Sequence, residues 1–267
     1  MIKKHVIKAH LWLFVLLFAS LSGCSIFQGE VDETEGWSAN KLYNAAKSSM
    51  GFREYDKAIG YFETLEARYP LGRFAQQAQL ETAYAYFKNE EPDLALGATD
   101  RFMRMNPRSP HIDYALYLRG LVNFDRGTGL IERLFPRDIA DLDTVSQKEA
   151  FHDFSKLVKR FPDSKYASDT QQRIQYLRNT LAETEVNVAR YYMQRGAWLA
   201  AFNRAEYTIK HYNGTPAMLD ALEIKVLASR RLGKNDLAAD NLRVLEANSP
   251  ERAAALKVKI DIIASKK

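Results

Sequence analysis

One residue of this chain carries a covalent chemistry of its own. Cys24 is the only cysteine among 267 residues, and it closes Leu21-Ser22-Gly23-Cys24 behind an apolar stretch from Leu11 to Ala19. Lys3, Lys4 and Lys8 precede that stretch. A basic start, an apolar core too short for an obvious transmembrane helix and a small-residue ending describe an export signal that is removed. This ending has the form of a bacterial lipobox, in which the chain is cut before the cysteine and the thiol is acylated. Several acyl chains at about 0.8 kcal/mol per buried CH₂ make such an anchor effectively permanent. A single cysteine rules out an internal disulfide. Ser25 stands where an Asp would mark retention at the inner membrane, so the expected location is the periplasmic face of the outer membrane, lipid-anchored.

No second reactive constellation accompanies it. Of five histidines, His5 and His10 leave with the signal. His111, His152 and His211 lie far apart, with no nucleophile or second ligand at a recognisable spacing. Asp138, Asp141, Asp143 and Glu149 miss the spacing and central glycine of a calcium loop. Phosphate-loop, zinc-protease, serine-hydrolase and CxxC patterns are absent. Asn213-Gly214-Thr215 matches a glycosylation sequon, but in a bacterial envelope it reads as a turn. The chain therefore reads as a non-enzyme with no cofactor and no metal. The formal charge of +5 falls to +2 without the signal, with 35 Lys and Arg against 33 Asp and Glu, so basicity gives no case for nucleic acid.

What remains is binding, and its elements are legible. Tyr43 to Pro70 reads as two amphipathic helices joined by a tight turn. Ala46 and Ala58 let the helices approach, Phe62 and Leu65 fill the space behind, and Pro70 ends the second helix. This is the tetratricopeptide (TPR) pattern, and it recurs. Ala83 and Tyr86 precede Ala95 and Pro107; Gly120 precedes Ala150, Phe154, Leu157 and Pro162. Ala189 and Tyr192 precede Ala201, and Val226 precedes Ala238, Leu242, Leu245 and Pro250. Ala58–Pro70, Ala95–Pro107, Ala150–Pro162 and Ala238–Pro250 are each twelve residues apart. The expected fold is all-α, a superhelical array of about five TPR helix pairs.

The expected organisation is a cleaved signal at 1–23, a lipidated flexible tether at 24–36, repeats 1–3 over 37–162 and repeats 4–5 over 163–267. Ser38 is the expected first N-cap. Ala95 to Ala150 spans 55 residues against 37 between Ala58 and Ala95; the excess lies at about 125–147, an inserted loop of the kind that repeat arrays carry on one face. Nothing breaks helical periodicity from Tyr166 to Arg195, which predicts one long linking helix ended by Gly196. Ser249-Pro250-Glu251 announces a capping helix with an apolar stripe of Ala253, Leu256, Ile260 and Ile263.

In such an array the first helices line the concave surface. The groove-facing positions beside Ala46, Ala83 and Gly120 are Tyr43, Lys47 and Met50; Leu80, Tyr84 and Phe87; and Tyr117, Leu121 and Phe124. Most are apolar or aromatic where a solvated groove would be polar. They describe either extra core or a channel for an extended, aromatic-rich peptide, with Lys47, Lys88 and Arg119 at its edges for carboxylates.

A resemblance covers the whole mature chain. Ala85-Tyr86-Phe87-Lys88-Asn89, Arg101-Phe102 to Asn106-Pro107, Ile112-Asp113-Tyr114, Asp153-Phe154-Ser155-Lys156-Leu157-Val158 and Tyr191-Tyr192 through Arg195-Gly196-Ala197-Trp198 resemble the BamD (ComL) family of outer-membrane assembly lipoproteins. The inserted loop departs from that family in being poorer in arginine. The resemblance implies a non-catalytic part of the β-barrel assembly machinery. Its C-terminal repeats would dock on a POTRA domain of BamA through Arg195, Gly196 and Trp198. Accessory lipoproteins (BamC, BamE) would attach, and the N-terminal repeats would face unfolded outer-membrane proteins. Two other readings of a repeat lipoprotein stand beside it: coordination of peptidoglycan or division, and capture of glycans for a transporter.

Overall fold

The computed structural model describes residues 32–126 and 144–265. The expected signal, Cys24 and most of the tether lie outside the described residues, as do most of the insertion and the side chain of Ile263. Eleven helices and no strand occur among the described residues. They are α1 (Ala39–Gly51), α2 (Tyr55–Arg68), α3 (Arg73–Lys88), α4 (Pro92–Met105), α5 (Ile112–Asp125), α6 (Thr144–Arg160), α7 (Ala167–Gln194), α8 (Trp198–His211), α9 (Ala217–Arg231), α10 (Asn235–Asn248) and α11 (Pro250–Ser265). Each helix packs on the next, and α1 also touches α3, α3 touches α5 and α7 touches α9. First helices of successive pairs thus stack along one face, the arrangement of a TPR array.

The small residues do what their spacing predicts. Ala46, Ala58, Phe62 and Leu65 are fully buried together. The same places are filled by Ala83, Ala95 and Phe102, by Ala150, Phe154 and Leu157, by Ala189 and Ala201, and by Val226, Ala238 and Leu245, all buried. Gly120 is the tightest approach: a Cβ there would sit 2.3 Å from the Phe154 ring, so α5 can pack on α6 only with no side chain at that position. α7 runs 28 residues, about 42 Å. α11 seats Ala253, Leu256 and Ile260 on Leu222, Val226 and Leu245 and closes the last pair.

The turns inside the pairs are built alike. The N–H donors of Glu54, Glu91, Ala197 and Lys234 each reach the carbonyl five residues back, those of Ser49, Tyr86, Tyr192 and Ser229, at 2.9 Å. This is the Schellman closure, which needs a left-handed residue just before the donor. Gly196 (φ +72°) and Gly233 (φ +73°) supply it in repeats 4 and 5; Arg53 (φ +62°) and Glu90 (φ +61°) supply it in repeats 1 and 2 at a steric cost. Arg53→Gly and Glu90→Gly are therefore each expected to stabilise the fold by about 0.5–1 kcal/mol, the left-handed penalty less glycine's added chain entropy. Urea denaturation followed by far-UV circular dichroism would show this as a raised midpoint; an unchanged or lowered one would mean that side-chain contacts outweigh the backbone strain.

Two boundaries differ from the sequence reading. Residues 32–36, expected as tether, fold against the first repeat. Asp32 accepts from the Thr34 amide at 2.9 Å, Arg68 of α2 donates to Asp32 and to the Thr34 carbonyl, and Tyr69 donates to the Trp37 carbonyl at 2.8 Å. The insertion is also shorter than 125–147: Asp125 ends α5 and Thr144 begins α6. The buried stripe of α6 (Ala150, Phe154, Leu157) continues one turn back to Ser146, which extends the helix. Ser38 does cap α1, accepting from the Lys41 amide at 3.3 Å.

Candidate functional site: a concave aromatic face and an open C-terminal depression

The nine groove positions separate into three groups. In repeat 1, Tyr43 lies against the Phe62 and Phe74 rings (5.9 and 5.5 Å between centroids), with Met50 half-buried in the same cluster. Lys47 pairs with Glu81 of α3 at 2.9 Å and so bridges the first two repeats. In repeat 2, Tyr84 and Phe87 are half-buried and 6.4 Å apart. Leu80 is a correction: only 5% exposed, it packs with Phe102, Ile112 and Leu116 as core. The cause is that α4 and α5 both close over it, through Phe102 and through Ile112 and Leu116, at a position that periodicity alone leaves open.

In repeat 3, Tyr117, Leu121 and Phe124 meet the start of α7, a partner that groove counting within the first three repeats does not include. Tyr117 stacks on Tyr166 at 4.6 Å and donates its hydroxyl proton to Asp169 at 2.8 Å. Phe124 lies 5.6 Å from Tyr176, and the Arg173 guanidinium sits 4.9 Å from the Phe124 ring centre. Arg173 also donates to Asp169 at 2.7 Å. Desolvation would raise the Asp169 pKa, but the hydrogen bonds from Arg173 and Tyr117 win and hold it below the usual carboxylate range. Burial, and then the bond to Asp169, push the Tyr117 phenol up. Tyr166, Asp169, Arg173 and Tyr176 recur at i, i+3, i+7 and i+10, one face of a helix, and that periodicity is the signal through which the sequence could have placed them here.

The expected edge cations are not equivalent. Lys88 is exposed. Arg119 is committed elsewhere: its Nε donates to Asp153 of α6 at 3.0 Å and its Nη1 to Asp100 of α4, so it ties three helices together rather than waiting for a ligand. Its neighbour Asn123 also donates to Asp153, at 3.4 Å.

At the other end of the array, the α7–α8 turn brings Arg195, Gly196 and Trp198 together. Arg195 is exposed, its guanidinium 5.2 Å from the Tyr191 ring centre, and Tyr191 is itself half exposed. Trp198 is half-buried under the Arg231 guanidinium at 5.3 Å. Gly196, Ala197, Trp198, Leu199, Ala200, Asn203 and Leu232 line an open depression of about 550 Å³. The left-handed Gly196 makes it possible, since the reversal there sets the first turn of α8 beside the end of α9. The arrangement offers an apolar seat next to the exposed Arg195 and the Arg231 guanidinium over Trp198. His111 on the turn before α5, His152 on α6 and His211 on α8 are all exposed.

These two surfaces sit on a chain that belongs to the family of outer-membrane lipoproteins described as "YfiO: Outer membrane lipoprotein", whose pattern it matches over residues 36–264. More particularly, it is similar to proteins named outer membrane protein assembly factor BamD. The one from Neisseria meningitidis serogroup A is 46% identical over 243 residues, 90% of this chain and 91% of that one. The one from Vibrio cholerae is 36% identical over 234 residues, 88% of this chain and 96% of that one. Among solved structures, the TPR2AB domain of yeast Sti1 in complex with pHSP90 is similar with a TM-score of 0.44 and 14% identity, covering 85% of this chain and 86% of that one.

Proposed function

We propose that this chain is a non-catalytic scaffold and substrate-recognition lipoprotein of the β-barrel assembly machinery, anchored at Cys24 on the periplasmic side of the outer membrane. Its relatives carry the name of an assembly factor over nearly their full length. The observation that carries the division of labour is the separation of two unlike surfaces. The C-terminal depression is open and apolar, and the exposed Arg195 immediately precedes its first lining residue, Gly196; it suits one folded partner, here a POTRA domain of BamA. The concave face of repeats 1–3 is long and aromatic, from Tyr43 and Met50 through Tyr84 and Phe87 to Tyr117, Leu121 and Phe124. It suits an extended, aromatic-rich segment of an unfolded outer-membrane protein. Arg173 and Tyr176 prolong that face onto α7. Accessory lipoproteins (BamC, BamE) complete the set of partners.

The test is affinity purification of the full-length, acylated protein from gently solubilised outer membranes. The expected result is a large POTRA-bearing barrel protein in stoichiometric amount. Arg195→Glu should lower its recovery at least about tenfold, the equivalent of one lost charge-assisted contact, with the helical far-UV signal intact. Phe87→Ala should keep the barrel protein and weaken crosslinking to unfolded outer-membrane protein. Recovery of murein-binding proteins or of a nutrient transporter in place of the barrel protein would replace this reading with one of its rivals.

A further inference from the structure

The described chain begins on a particular edge of the array. Helices alternate in direction, so the start of α1, the end of α2, the start of α3, the end of α4 and the start of α5 share one edge, and the turns inside the pairs occupy the opposite one. Residues 32–37 are held on the first edge by Arg68 and Tyr69. Trp37 stacks on Tyr61 at 5.9 Å, with the Lys41 ammonium 3.9 Å over its ring.

That edge exposes three large apolar side chains. Leu71, between α2 and α3, is 90% exposed; Met105, at the end of α4, is 61% exposed; Tyr69 is 37% exposed. None of the three belongs to the concave face or to the C-terminal depression. Arg104 and Arg108 are exposed beside Met105 and enter no ion pair among the described residues. The acids on that edge are Asp32, which Arg68 engages, Glu33 and Glu35 on the turn that precedes α1, Asp113, which accepts from the Ser164 hydroxyl, and the exposed Asp163 between α6 and α7. An apolar tip with aromatic and basic neighbours is the composition of a surface that seats in lipid headgroups.

We propose that this edge, with Tyr69, Leu71 and Met105 at its centre and Arg104 and Arg108 at its rim, is a membrane-contact surface that rests in the headgroup region of the bilayer holding the Cys24 anchor. The proposal rests on the reading of Cys24 as the acylated residue. Chain length selects the occupant. Asp32 lies eight steps along the chain from Cys24, and at roughly 3.3–3.6 Å each they reach at most about 29 Å. α1 to α5, of 13 to 16 residues, put the opposite edge about 20–24 Å further away. A tether this short keeps the first edge at a local concentration in the millimolar range relative to the bilayer, where one or two apolar contacts that would be negligible for a free protein become populated.

The test uses the full-length, Cys24-acylated protein in vesicles of phosphatidylethanolamine and phosphatidylglycerol. Because Cys24 is the only cysteine and is blocked when acylated, Leu71→Cys, Met105→Cys and Phe52→Cys each introduce one reactive thiol for an environment-sensitive fluorophore. Phe52 is 76% exposed on the opposite edge and serves as the reference. The expected result is a blue-shifted emission at positions 71 and 105, with quenching by aqueous iodide roughly threefold weaker than at position 52, as for a side chain at the headgroup–acyl boundary. Equal quenching at all three positions in protein whose N-terminal peptide carries the acyl mass would overturn the membrane edge and leave the anchor standing. An N-terminal peptide without acyl mass would overturn both.

Discussion

Phe154→Ala is expected to destabilise the protein by about 3–5 kcal/mol, the range for truncating a fully buried phenylalanine. The residue is completely buried on α6 and is the point where the third repeat is tightest. Its ring lies 6.3 Å from both Tyr117 and Phe124, so it supports two groove positions from behind. It also fills the space that a side chain on residue 120 would need, which explains why repeat 3 carries glycine where repeats 1, 2 and 4 carry Ala46, Ala83 and Ala189. A companion substitution isolates that contact. Gly→Ala inside a helix ordinarily gains about 1 kcal/mol, whereas Gly120→Ala should lose about 1–3 kcal/mol through overpacking. Combined with Phe154→Leu, its cost should be markedly less than the sum of the two, since the shorter side chain yields the room. Urea denaturation of the three variants measures the cycle; strict additivity would show that residues 120 and 154 do not compete for the same space. Because an array couples chiefly to its nearest neighbours, Phe154→Ala should weaken the concave face while leaving the α7–α8 turn around Arg195 intact.

The contrast between Phe154 and its surroundings shows how far the sequence could be read. Ala58, Ala95, Ala150 and Ala238 recur at fixed distance from a proline because each sits at the crossing of two helices, where only a small side chain fits. Periodicity records that crossing directly, and the array with its long α7 follows from it. For Leu80 and Arg119, position within a helix predicts a face but not how deeply the next helix covers it. Arg68 lies 36 residues from Asp32, and no local pattern announces that it will clamp the segment before α1. The same holds for Arg173 and Tyr176: periodicity marks α7 as a linker, and only its packing on α6 brings its first turns to Phe124. Short-range chemistry of caps and small residues was legible; contacts that depend on the superhelical pitch were not.

Arg119→Ala is expected to cost about 3–5 kcal/mol at neutral pH, since it strands a buried carboxylate. Asp153 is only 2% exposed. Burial pushes its pKa above the usual carboxylate value of 3.8, while Arg119, His152 and the Asn123 amide pull it back in part. For an acid raised in the folded state, ionisation weighs against folding, and that burden is lifted as the pH falls through the folded pKa. Without Arg119 the burden grows and the folded pKa rises further. The difference between wild type and Arg119→Ala should therefore be largest at pH 7 and narrow steadily as the pH is lowered toward 4. Adding Asp153→Asn should recover most of the loss and remove its pH dependence. Arg101 gives the scale for an ordinary surface pair: it meets Glu66 at 3.1 Å with nearly half of its side chain exposed, and Arg101→Ala should cost no more than about 1 kcal/mol. Denaturation midpoints of these variants across that pH range decide the matter. A loss in Arg119→Ala that stays constant from pH 7 to 4 would mean that Asp153 does not carry the charge Arg119 compensates, and that the arginine holds α4, α5 and α6 together through Asp100 and packing alone.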